Sequence, residues 1–310
     1  IIFNDKGFAK PQMFMNLFIS NAGLIVIGCG MTLVMITGGI DISVGSVTAL
    51  VCMSAAYAME NKGMSAVAAV VISLLIGTLF GIVQGYLVTY LEIQPFIVTL
   101  AGMFFGRGLT AVISTDMIAI QNKTFLKWAN YRINLPFGTY NRRGIFIPAY
   151  IYPTVIIALA VVILITIMLK FTKFGRSLYA IGGNQQSAVM MGLNVKRTKM
   201  KAYVLDGFLA GLGGFLFCLN SCAGFVEQAK GLEMDAIASA VIGGTLLSGG
   251  VGTVIGTLFG VLINGTISSL ITTQGTLSSW WVRITLSALL CFFIVLQAVI
   301  AAVKRKKKKK

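Results

Sequence analysis

Long apolar runs constrain this chain more than any other feature of it. Tyr152–Leu169 and Ile284–Val303 are each close to the roughly 20 residues that a helix rising 1.5 Å per residue needs to cross a hydrocarbon core. Nine such segments are predicted: Asn16–Ile36, Ser43–Met59, Ala66–Val88, Pro95–Ser114, Tyr150–Leu169, Ala202–Cys222, Met234–Ser248, Val251–Thr272 and Arg283–Val303. Composition agrees, with 57% hydrophobic and 11% charged residues, where a soluble domain carries about 25% charged. A water-exposed surface of this size needs far more charge. The expected class is all-α, a polytopic transmembrane bundle.

The net charge of +16 is distributed as a membrane protein requires. Seven basic residues form the tail Lys304–Lys310 and seven more lie between Lys170 and Lys201. Basic residues bunched beside apolar spans mark the cytoplasmic side and its anionic lipids, so no nucleic-acid role is expected. Both basic segments are therefore read as cytoplasmic, which requires an even number of crossings between them. The four spans drawn after Lys201 satisfy this, including the short Met234–Ser248. Counting back puts Ile1–Pro11 outside, and Thr115–Ala149 becomes an external loop despite its five basic residues. An external start without a signal-peptide pattern implies that one further span preceded Ile1.

The five cysteines (Cys29, Cys52, Cys218, Cys222, Cys291) fall within apolar segments and read as small core residues. There is no histidine, which removes the commonest metal ligand and general base. With few acids and no clustered carboxylates, no catalytic set is expected, and no metal site. A phosphate-binding G-x-x-x-x-G-K-[ST] loop is also missing from the sequence. Energy for transport must then come from a partner or from an ion gradient. Glycines four apart, Gly207 and Gly211, and Gly252, Gly256 and Gly260, suit close helix packing in lipid.

Two segments carry the most information. Gly38-Gly39-Ile40-Asp41-Ile42-Ser43-Val44-Gly45-Ser46 lies between two apolar runs. Its glycines permit a sharp turn, and Asp41 or Ser43 can cap the next helix. An ionisable residue so near the membrane suits either a cap or a direct functional role. In the second segment Gly182-Gly183 breaks the chain, Asn184 is an N-cap, Gln185–Met191 makes about two turns, and Gly192 supplies a left-handed C-terminal cap. Flanked by Lys173, Arg176, Lys196 and Arg197, this short helix suits a cleft in a soluble partner. The competing reading is an interfacial helix held to lipid by its basic neighbours.

The stretch Met35–Ser46, with ITGGIDISVGS, resembles the signature of the permease family of monosaccharide ATP-binding-cassette (ABC) importers. Pro95–Gly108 (PFIVTLAGMFFGRG) is similar to a span of that family, and Phe174–Gly192 (FGRSLYAIGGNQQSAVMMG) to its cytoplasmic coupling loop. Glu233–Gly260 and Gly275–Trp281 are most similar to galactofuranose-type permeases. The resemblance covers essentially the whole chain. It implies a type II-like importer permease of ten helices, one more than the nine read here. It also implies a second permease subunit, an external sugar-binding protein, and a partner ATPase that binds ATP and Mg, with no cofactor in this chain. Gly182, Gly183, Asn184, Gln185, Gln186, Ala188 and Gly192 would then couple to the ATPase. The location implied is the cell (inner or plasma) membrane, with a cytoplasmic C-terminus.

Four further polar residues stand near or within spans: Glu92, Gln94, Arg107 and Asp206. Asp206 is placed to pair with Lys201, and it departs from the small or hydroxyl residue usual at that point of the family. Arg107 snorkels outward or lines a cavity, and Arg283 anchors the last span with Trp280 and Trp281. If Asp41, Glu92 and Asp206 formed an ion relay, the chain would instead be a stand-alone secondary transporter.

Overall fold

The computed structural model describes residues 10–140, 145–274 and 280–308. Expectations for Ile1–Ala9, for Arg142 and Arg143, and for the segment Gly275–Ser279 lie outside these residues. The helices are α1 (Pro11–Ile36), α2 (Val44–Glu60), α3 (Ala66–Thr89), α4 (Pro95–Ile113), α5 (Lys123–Ala129), α6 (Pro153–Phe171), α7 (Lys173–Gly183), α8 (Gln185–Met190), α9 (Val195–Ser221), α10 (Leu232–Ile242), α11 (Val254–Gln274) and α12 (Trp280–Lys308).

Seven of them, α1, α3, α4, α6, α9, α11 and α12, are long and apolar enough to cross a membrane. Two of the nine expected spans fall short as helices. α2 has 17 residues and α10 has 11, about 25 and 16 Å at 1.5 Å per residue, against a hydrocarbon core of about 30 Å. α10 stops because Gly243 and Gly244 follow Ile242, with Gly244 at φ +92°. The chain then continues without helix to Thr253.

Glycine decides the packing at the centre. α9 runs antiparallel to α3 with Gly207 against Gly77 and Gly81, and Gly211 against Ser73 and Gly77. A methyl group at Gly77 would run into the Gly207 carbonyl oxygen, so the two backbones touch with nothing between them. In lipid such contact replaces the water-driven burial that holds soluble helices together. α1 lies antiparallel along α9, Gly23 meeting Gly213 and Gly30 meeting Asp206. α1, α2 and α9 form the buried heart. Around them α3, α4, α6 and α12 leave large apolar side chains uncovered, among them Leu79, Phe104, Leu164 and Phe292. Such a belt suits acyl chains and not water.

The Thr115–Ala149 segment is not featureless, so the fold is helical with small strands rather than purely α. β1 (Ile118–Ala119) pairs antiparallel with β4 (Ala223–Gly224), and β2 (Ile133–Tyr140) with β3 (Phe146–Ile151). Glu60 at the end of α2 accepts from the amides of Gln121 and Asn122, holding α5 over this end of the bundle. This is the loop end; the opposite face, rich in lysine and arginine, is the basic end.

The α3–α9 contact predicts that Gly207→Val costs about 1–3 kcal/mol through overpacking. Gly108→Ala, where a methyl group meets nothing within 4 Å, should leave stability at or slightly above that of the parent. Thermal unfolding of the detergent-purified protein distinguishes the two.

Candidate functional site: the signature turn, its buried carboxyls and the basic-end helix

The chain leaves α1 at Ile36 and re-enters helix at Val44, with Gly38 at φ +80° making the turn. Neither Asp41 nor Ser43 caps α2 in the expected way, for no side chain of the turn accepts from a first-turn amide. Instead Asp41 folds back on its own segment. Its Oδ1 accepts from the Ser43 amide at 2.7 Å and the Ser43 hydroxyl at 2.6 Å. Ser43 Oγ in turn accepts from Nε2 of Gln84, in α3, at 2.8 Å. Ser46 donates to the Ser43 carbonyl at 2.7 Å. Gly45 packs against Glu233 and Ala229, where a Cβ has no room. The side chains of Asp41, Ser43, Ser46, Gln84 and Glu233 are all buried.

Asp206 is the main correction to the sequence reading. It makes no pair with Lys201, which lies exposed near the start of α9. Asp206 is fully buried and faces the Asp41 carboxyl within hydrogen-bonding reach. No hydrogen-bond donor among the described residues reaches either of its oxygens. Gly30 makes room for it, and Tyr203, one turn earlier on α9, turns its hydroxyl toward Gly39. Gln84 and Tyr203 were not singled out from the sequence. A glutamine alone in the 24-residue apolar stretch of α3 was the available signal.

Glu92 and Gln94 lie elsewhere, exposed in the connection between α3 and α4. Glu92 pairs with Lys196 at 2.9 Å, and the neighbouring ammonium holds its carboxyl below the usual range. Asp41 and Asp206 are thus brought together, and Glu92 is not. At the loop end Arg107 neither snorkels nor stands free. Its guanidinium donates to the carbonyls of Val226 at 2.7 Å and Gln228 at 2.6 Å, tying α4 to the segment before α10. Arg283 stacks over the Trp280 ring at 5.7 Å. A cavity of about 450 Å³ between α2, α3 and α4 is lined by apolar groups such as Leu50, Phe80 and Phe105. Another of about 430 Å³ between α10, α11 and α12 is lined by Asp235, Ser268, Thr272, Arg283 and Ser287, among others.

At the basic end Gly182 and Gly183 do not break the chain. They complete α7, and the break falls at Asn184, which is extended at φ −159°. Asn184 Oδ1 accepts from the Ser187 amide at 2.9 Å. Gly192, at φ +77°, closes α8 with its amide donating to Val189. Ala188 is buried with Ile181 and Val195, and Gln185 accepts from Lys199 at 2.7 Å, so α8 is fixed to the start of α9. Val189, Met190 and Met191 point away, with Met190 88% and Met191 66% exposed. α7 is seated on the turn as well. Gly182 packs against the Ile36 carbonyl, which accepts from the Gly250 amide at 2.8 Å, and Tyr179 donates to the Gly252 carbonyl at 2.8 Å.

The sequence that builds this buried polar turn and outlying capped helix has relatives. Residues 13–294 match the family described as branched-chain amino acid transport system / permease component. The chain belongs to this permease family. It is 42% identical, over 94% of its length and 85% of the relative's, to the inner membrane ABC transporter permease protein YjfF of Escherichia coli (strain K12). It is 36% identical, over 93% of its length and 83% of the relative's, to the fructose import permease protein FruG of Bifidobacterium longum (strain NCC 2705). A third relative is the ribose import permease protein RbsC of Bacillus subtilis (strain 168), 38% identical over 86% of this chain and 78% of that one. No solved structure matches the chain. The permease is a multi-pass membrane protein, and the relatives are permease subunits of transporters rather than enzymes.

Within this permease, Arg107→Ala should free the segment 223–231. Its backbone amides should exchange hydrogen markedly faster, with a loss of about 1.5 kcal/mol for the charged hydrogen bonds removed. Hydrogen-exchange mass spectrometry of the detergent-purified protein checks this, and unchanged exchange there would contradict it.

Proposed function

We propose that this permease is the membrane-spanning subunit of an ABC importer that carries a monosaccharide into the cytoplasm, driven by a separate ATPase that binds ATP and Mg. The observation that carries this reading is the apolar tip of α8. Val189, Met190 and Met191 stand exposed at the end of a helix flanked along the chain by Lys173, Arg176, Lys196 and Arg197. Exposed apolar side chains on a rigid, capped helix suit the cleft of a protein partner. Gln185, Gln186 and Ala188 set the angle of that tip, and Gly182 passes its movement to the end of α1. The basic end, with the C-terminal helix end, is then cytoplasmic, as the clustering of lysine and arginine argues.

The sugar reading is supported by the fructose and ribose named for two of the relatives. The galactofuranose type is the finer assignment that the sequence resemblance favours. The cavity bearing Asp235, Arg283, Ser268 and Thr272 offers charged and hydroxyl groups of the kind that read a sugar's hydroxyls. A second permease and an external sugar-binding protein complete the complex, the latter docking at the loop end over α5 and the β2–β3 hairpin.

The mechanism on this reading is alternating access. ATP-driven closure of the partner pushes α8, and α7 delivers the displacement to Ile36 and the signature turn. An ATPase should co-purify with the tagged permease from its native membrane. In that complex Met190→Glu should lower transport-coupled ATP hydrolysis at least about tenfold, the loss of roughly 1.4 kcal/mol of docking, while the permease itself stays folded. Recovery of the chain alone, carrying sugar on an ion gradient, would instead make it a secondary transporter.

A further inference from the structure

Asp41 and Asp206 come from opposite halves of the chain, one from the signature turn and one from the middle of α9, and their carboxyl groups meet away from water. Two ionised carboxylates about 4 Å apart repel by about 4 kcal/mol even at an effective dielectric constant of about 20. No lysine or arginine among the described residues acts on either group. The titratable group that faces both is the phenol of Tyr203, on α9. The remaining close neighbours are Ser43, Gln84 of α3 and the backbone of α1 at Gly30.

We propose that Asp41 and Asp206 hold one proton between them, an internal proton site that fastens the signature turn to α9. The donors around the pair assign its direction. The Gln84 amide donates to Ser43 Oγ, the Ser43 hydroxyl and amide both donate to Asp41 Oδ1, and this series of donors therefore points at Asp41. Asp41 is the ionised acceptor. Asp206 receives no hydrogen bond on either oxygen, as suits a neutral acid. It carries the proton and donates it to Asp41, and the bond is a charge-assisted one in a dry surrounding. No bond is made or broken beyond the transfer of that proton to water when the pair separates. The consequence is mechanical. A movement that parts α9 from the turn exposes two carboxyls, and the proton concentration then sets the cost of returning.

Such a proton site depends on neither the transported solute nor the ATPase. A proton held in the folded chain and released on unfolding adds stability that is greatest at low pH and fades as pH rises. The test compares the purified full-length chain with Asp206→Asn, whose amide donates to Asp41 without titrating, and with Asp206→Leu, similar in size but without a donor. The parent should lose melting temperature from mildly acidic to alkaline pH. Asp206→Asn should keep the acid-side melting temperature and lose that dependence, and Asp206→Leu should melt lower by about 4 °C or more. Infrared spectra of the parent should show the deuterium-sensitive carbonyl stretch of a buried carboxylic acid, absent from Asp206→Asn. If Asp206→Leu fails to fold, the Asn variant and the infrared band decide. A parent without that band overturns the proposal, as does an Asn variant with the parent's pH profile. Stabilisation of the parent by sodium at fixed pH would overturn it too, in favour of a metal-cation site.

Discussion

Backbone contact between α9 and its neighbours is the constraint on which the rest of this permease depends. Because Gly77, Gly81, Gly207 and Gly211 place no side chain between α3 and α9, the two helices approach as closely as their carbonyls allow. Gly23 and Gly213 bring α1 nearly as close on another side. That proximity lets Gln84 of α3 reach Ser43, and Asp206 of α9 reach Asp41. Wider spacing would leave the same polar groups facing lipid tails or one another's side chains, at several kcal/mol each. Tight packing here is what makes buried polarity tolerable.

From the turn a continuous set of contacts leads outward. Ile36, the last residue of α1, carries Gly182 of α7 and the Gly250 amide on one carbonyl. α7 runs directly into α8, whose underside is anchored through Ala188 and Gln185 to the start of α9. On the proposed reading a push on Met190 therefore reaches both partners of the Asp41–Asp206 contact, the turn through α7 and α9 through its first turn. Coupling of this kind needs an element with two discrete arrangements, not merely a path of touching residues. On the proposed reading the carboxyl pair, whose two members belong to different elements, is such a joint.

Local chemistry was legible in the sequence and pairing between distant segments was not. Asn184 and Gly192 bracket α8 because an N-cap and a left-handed C-terminal residue act within one helical turn. The long apolar helices announce themselves by length. α10 misled because Gly243 and Gly244 stop the helix while the surrounding residues remain apolar, so hydropathy alone runs on to Ser248. α9 begins at Val195, well before its apolar stretch, since Asn194 caps it and lysines are good helix formers. Lys201 is the nearest cation to Asp206 along the chain and suggests a pair, but residues five apart lie on different faces of a helix, and the side of α9 that carries Asp206 is turned inward. Arg107 offered no sequence signal for its partners, which are backbone carbonyls in a remote loop.

Photo-cross-linking from Met190 separates an α8 that meets an ATPase from one that lies on the membrane surface. A photoreactive residue placed at that position, in the chain expressed in its native membrane, should yield an adduct with a nucleotide-binding protein whose yield changes when ATP is trapped. Adducts with phospholipid alone, insensitive to ATP, would mean that α8 is an interfacial helix and that the importer account is wrong.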